Sequence, residues 1–73
     1  METVKIKGDF IKLDAMMKFL SLVGSGGEAK MAILDGLVSV NGEVCTMRGK
    51  KIRPGDVVSF CGQDYSVRSH EDS

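Results

Sequence analysis

The chain has 73 residues, ten Lys plus Arg balanced by ten Asp plus Glu, and 42% hydrophobic residues. That describes one domain, apolar enough to fold and unlike a disordered chain. At this length folding buries only about 60% of the surface that the unfolded chain exposes. A modest core argues against the deep cleft of a full enzyme, and zero formal net charge argues against a polyanion binder that is basic throughout.

Taken in chain order, Thr3 to Lys7 alternates polar and apolar and predicts a strand that Gly8-Asp9 breaks. Phe10, Leu13, Met17 and Leu20, with Met16 filling in, recur at three and four and predict a helix over about Leu13–Leu22. Met16, Met17 and Met31 are read as core filler in preference to a soft-metal site. The stretch 23–27, Val-Gly-Ser-Gly-Gly, stops that helix. Ser25 and Glu28 then have capping-box spacing, with Glu28 expected to reach back to the N-cap amide. A second helix follows over about Gly27–Asp35, with Ala29, Ala32 and Ile33 inward and Gly36 as its left-handed stop.

Leu37 to Val40 reads as a strand. Asn41-Gly42 is a type I′ hairpin signal, and Glu43 to Cys45 returns. The run Arg48-Gly49-Lys50-Lys51-Ile52-Arg53 places four cations in six residues, and Thr46 to Lys51 is read as the loop that carries it. Pro54-Gly55 fits the centre of a type II turn. Val57 to Cys61 and Tyr65 to Arg68 then predict a final hairpin turned at Gly62 to Asp64. Strand, two helices and four short strands in that order give an α+β domain with the helices on one side of the sheet.

The two cysteines, Cys45 and Cys61, lie sixteen positions apart with no CxxC pair, so reduced thiols are favoured over a disulfide. Nothing approaches the roughly 18 apolar residues of a membrane span. The start of the chain lacks the apolar run of a secretory signal. A cytoplasmic location is the resulting expectation.

The ordered set Lys12-Leu13-Asp14, Ser25, Glu28-Ala29-Lys30, Ile33, Gly36, Val38 and Val40-Asn41-Gly42, closed by the 51–58 segment Lys-Ile-Arg-Pro-Gly-Asp-Val-Val, resembles the RNA-binding domain named after ribosomal protein S-four. The resemblance runs over roughly 10–60 and is greatest to stand-alone bacterial members. It implies the αL motif: two short packed helices on a small curved, mainly antiparallel sheet. The domain is expected over 1–68, with 69–73 a frayed acidic tail.

In that family RNA lies against the start of the second helix and the neighbouring basic loop. By resemblance the RNA-binding residues are Lys12, Ser25, Gly26, Gly27, Lys30, Arg48, Lys50, Lys51 and Arg53. The physics agrees, because free amides and the dipole at a helix start attract anions. Where the family usually carries arginine after the serine, this chain has Gly26. The resemblance further implies a monomer that binds structured ribosomal or transfer RNA, in ribosome assembly or translation quality control, with no cofactor and no metal. The alternative is a protein-interaction module that keeps the fold without RNA binding. Convergence of the cations on one surface favours the first reading, and scatter favours the second.

Phe10, Phe19, Phe60 and Tyr65 sit in core-like patterns, so an exposed aromatic pair for base stacking is not expected. Catalysis is not expected either. His70 lies in the polar tail without a buried setting, and Asp56 and Asp64 stand in turn contexts where aspartate is common.

Overall fold

The computed structural model describes residues 1–70. The chain runs β1 (Glu2–Ile6), β2 (Ile11–Lys12), α1 (Leu13–Phe19), α2 (Gly26–Leu34), β3 (Val38–Val40), β4 (Glu43–Val44), β5 (Lys51–Ile52), β6 (Val57–Phe60) and β7 (Gln63–Ser69). Five strands form one sheet in the order β1-β7-β6-β3-β4, and β2 pairs with β5 in a separate two-stranded ladder. All pairings are antiparallel except β1 with β7. The α+β class and the pair of packed helices on a mainly antiparallel sheet are as expected from the sequence.

Register explains the core. Val4 pairs with Val67, Val58 with Tyr65, Val40 with Val58 and Val38 with Phe60. Paired residues share a face, so these side chains line one side of the sheet together with Ile6. Leu13, Met16 and Met17 of α1 and Ala29, Ala32 and Ile33 of α2 complete the same buried cluster. Ala29 and Ala32 let the second helix approach closely. Met16 and Met17 are the core filler expected, whereas Met31 is 58% exposed and takes no part.

Local chemistry sets the turns. Asn41 (φ 52°) and Gly42 (φ 85°) both adopt the left-handed conformation of a type I′ turn. The β6–β7 hairpin uses the same device one residue earlier than its sequence suggests, at Cys61 (φ 53°) and Gly62 (φ 77°). Gly55 at φ 100°, with the Asp56 amide donating to the Arg53 carbonyl, makes the expected type II turn.

Other boundaries also differ from the sequence reading. The first helix ends at Phe19, three residues early, because Ser21 turns left-handed at φ 58°. At its other end the helix begins at Leu13 as expected, so Phe10 precedes it, and Ile11-Lys12 forms a strand. The basic stretch is a loop only as far as Lys50, since Lys51-Ile52 is the partner strand. At the C-terminus, Ser69 and His70, expected to fray, are held by β1: Ser69 pairs with Ile6, and the His70 amide donates to the Ile6 carbonyl at 2.8 Å. The remainder of that tail, 71–73, lies outside the described residues. No helix among the described residues is long and apolar enough to cross a membrane.

Candidate nucleic-acid interface

The two-stranded ladder gathers the cations. Ile11 faces Ile52, which is fully buried, and Lys12 faces Lys51. Because side chains alternate along a strand, turning the isoleucines to the core turns both lysines outward on one face. The preceding loop then latches onto the start of α1. The Leu13 amide donates to the Lys50 carbonyl at 2.9 Å and the Asp14 amide to the Arg48 carbonyl at 3.1 Å. These bonds satisfy orphan amides of the helix start, where Lys12 at the N-cap offers no side-chain bond. A second effect is to anchor the backbones of Arg48 and Lys50 beside Lys12, with their side chains exposed.

The start of α2 is built from Ser25. Its hydroxyl accepts from the Glu28 amide at 3.3 Å, and its carbonyl accepts from the Ala29 amide. The Glu28 carboxylate reaches back as expected but accepts from the Gly24 amide, at 2.8 Å, and not from Ser25. The amides of Gly26 and Gly27 have no intrahelical acceptor, and both residues are exposed. Neither glycine is demanded by backbone strain. A Cβ on Gly26 would meet nothing within 4 Å, and one on Gly27 only the Ser25 hydroxyl at 3.7 Å.

Gly26 lines an open depression with Asp14, Ala15, Lys18 and Phe19 of α1. The α2 start therefore abuts the helix whose own start carries Lys12, Arg48, Lys50 and Lys51. Lys30 lies four residues after Gly26, on the same side of α2, and is exposed. Ser25, Gly26, Gly27 and Lys30 thus belong to one helix end, and Lys12, Arg48, Lys50 and Lys51 to the ladder and loop alongside. Arg53 is not tied to either group. It sits past β5 in the turn where its amide donates to the Asp56 carboxylate at 2.9 Å.

Two features escape sequence reading. Lys18, on the outward side of α1, joins Gly26 in the same depression. Phe10 and Phe19, taken as core-like, are 38% and 64% exposed. Phe60 and Tyr65 do pack into the core. Phe10 lies just ahead of the new strand β2 and Phe19 closes α1, and no local signal marks their exposure. The Lys51 ammonium stands 5.0 Å above the Phe10 ring centroid, a cation–π contact.

Cys45 and Cys61 are free thiols, and Cys45 donates weakly to the Met47 carbonyl. Among the described residues no group of three or more His, Cys, Asp and Glu side chains is placed to hold a metal.

An α+β fold in which a helix pair packs on a mainly antiparallel sheet, with a cation-rich ladder at the helix starts, defines a class of small domains. The S4 domain family model matches residues 4–68, and the chain belongs to that family. Two relatives align over 61 residues at 38% identity, covering 84% of this chain and 87% of their own length. One, from Escherichia coli (strain K12), is named "Putative RNA-binding protein YbcJ". The other, from Shigella flexneri, is named "Uncharacterized protein YbcJ".

Proposed function

We propose that this protein is a non-enzymatic binder of structured RNA, of ribosomal or transfer type, acting in the cytoplasm as a monomer during ribosome assembly or translation quality control. The carrying observation is the β2–β5 ladder with its latch. Lys12, Lys51, Lys50 and Arg48 are held at the start of α1, beside the open amides of Gly26 and Gly27. Lys18 and Lys30 extend this surface along the two helices. Neutrality of the whole chain is compatible with it, because the field that matters is local. Family membership and the printed name of the Escherichia coli relative support the same reading.

The mechanism is backbone recognition. Lysine and arginine neutralise phosphates and release counterions, and bare helix-start amides donate to a phosphate oxygen at close range. Such contacts register the geometry of an RNA helix without reading its bases. Glu28 opposes anion approach at the same helix end, so affinity rests on the lysines more than on the dipole.

The test is binding of the purified protein to ribosomal subunits, total transfer RNA and a DNA duplex across a salt series, with Lys30→Glu and the double change Lys50→Glu with Lys51→Glu alongside. Salt-sensitive binding to structured RNA, lost in the charge reversals, is expected. A folded wild-type protein that binds no RNA at low salt overturns the proposal. It would turn attention to protein docking through the exposed Met31, Leu34, Leu37 and Val44.

A further inference from the structure

Phe10 and Phe19 line one open depression of about 350 Å³, floored by Ile6 and Ile11 and rimmed by Lys5, Lys7 and His70. Phe10 and Phe19 thus bring two partly exposed phenyl rings to one site. No carboxylate lines the depression among the described residues. Its lining is aromatic in one part and cationic in another, with Asp9 in the neighbouring hollow beyond Lys7 and His70.

The position narrows the occupant further. Phe19 also forms a wall of the depression that contains Gly26 and Lys18, so the two hollows meet at that ring. Phe10 lies beneath the Lys51 ammonium, and Lys51 faces Lys12. The aromatic hollow thus adjoins on both sides the cationic surface proposed above to track an RNA backbone, with Asp14 the carboxylate lining the hollow shared at Phe19.

We propose that the Phe10–Phe19 depression is a stacking subsite for an unpaired nucleotide of the bound RNA. This deepens the RNA reading and rests on it. A base leaving the helical stack at a bulge or single-stranded end enters between the rings, and Lys5, Lys7 and Lys51 hold the flanking phosphates. Every base has a π-face, so the subsite is tolerant of sequence, and the protein selects the junction between helical and unpaired RNA.

The experiment compares three RNAs of one stem sequence: a blunt hairpin, the hairpin with three-nucleotide single-stranded extensions, and the hairpin with a one-nucleotide bulge. Each is titrated into the wild type, Phe19→Ala and Phe19→Trp. The extended or bulged RNA is expected to bind about tenfold tighter than the blunt one. Phe19→Ala should remove that advantage, lowering affinity for the extended and bulged RNAs more than for the blunt hairpin. Phe19→Trp should preserve it, with indole fluorescence quenched only by RNA carrying unpaired nucleotides. Because Phe19 is largely exposed, both variants are expected to fold, and circular dichroism checks this.

Equal affinity of the wild type for all three RNAs overturns the stacking subsite and leaves backbone binding standing. So does an equal loss for all three in Phe19→Ala. If no RNA binds at low salt, the RNA reading itself fails, and the subsite with it.

Discussion

Lys12 offers a perturbation in which stability and binding should move in opposite directions. It faces Lys51 across an antiparallel pair, where opposed Cα atoms lie about 5 Å apart and side chains share a face. Two unit charges at that separation repel by about 0.8 kcal/mol in water. Side-chain freedom and salt reduce this to a few tenths of a kcal/mol. Lys12 makes no side-chain cap bond, and the amides of Leu13 and Asp14 after it are already held by the Lys50 and Arg48 carbonyls. Replacing Lys12 with Gln thus removes a repulsion and no intramolecular bond. The melting temperature of Lys12→Gln is expected to stay level or rise by about 2 °C. On the RNA side, losing one phosphate contact should lower the magnitude of the log K versus log salt slope by about one. Differential scanning fluorimetry and a salt series of RNA titrations read the two effects. A fall in melting temperature beyond about 4 °C would show Lys12 to be structural. An unchanged salt slope would show that it touches no phosphate.

Three further outcomes follow from single side chains. Asp56 accepts from the Asn41 side-chain amide at 3.1 Å and the Arg53 amide at 2.9 Å, so Asp56→Ala should cost about 1–3 kcal/mol, read by urea denaturation. Glu28→Gln keeps an acceptor for the Gly24 amide while removing a charge from the α2 start, so RNA affinity should rise several-fold with the melting temperature nearly unchanged. A drop in affinity would refute the anion site there. Gly26→Arg restores the arginine usual in the family at a position with open space, and should steepen the salt slope by about one without unfolding the domain.

Asn41-Gly42 shows how a correctly read local signal can understate its role. The type I′ turn is legible from two residues. In the fold, Asn41 also exchanges backbone and side-chain bonds with Val57: its amide donates to the Val57 carbonyl at 2.7 Å, and its side-chain oxygen accepts from the Val57 amide at 2.9 Å. With Asp56 it clasps two turns thirteen residues apart. Long-range bonds of this kind depend on register between distant strands, which no local window contains.

The sequence by itself determined whatever a few neighbouring residues can enforce. Ser25 and Glu28 start the second helix, Gly36 ends it, Pro54-Gly55 and Asn41-Gly42 turn the chain, and alternation marks β1, β3, β6 and β7. Capping, φ preference and periodicity act within one or two turns, so they survive removal from context. Tertiary structure decided the two-residue strands. Neither Ile11-Lys12 nor Lys51-Ile52 has a strand signal, and each exists because pairing buries Ile52 and satisfies the first amides of α1. That pairing turned a loop of cations into a fixed surface. The fold also left Phe10, ahead of β2, and Phe19, at the end of α1, facing outward beside that surface.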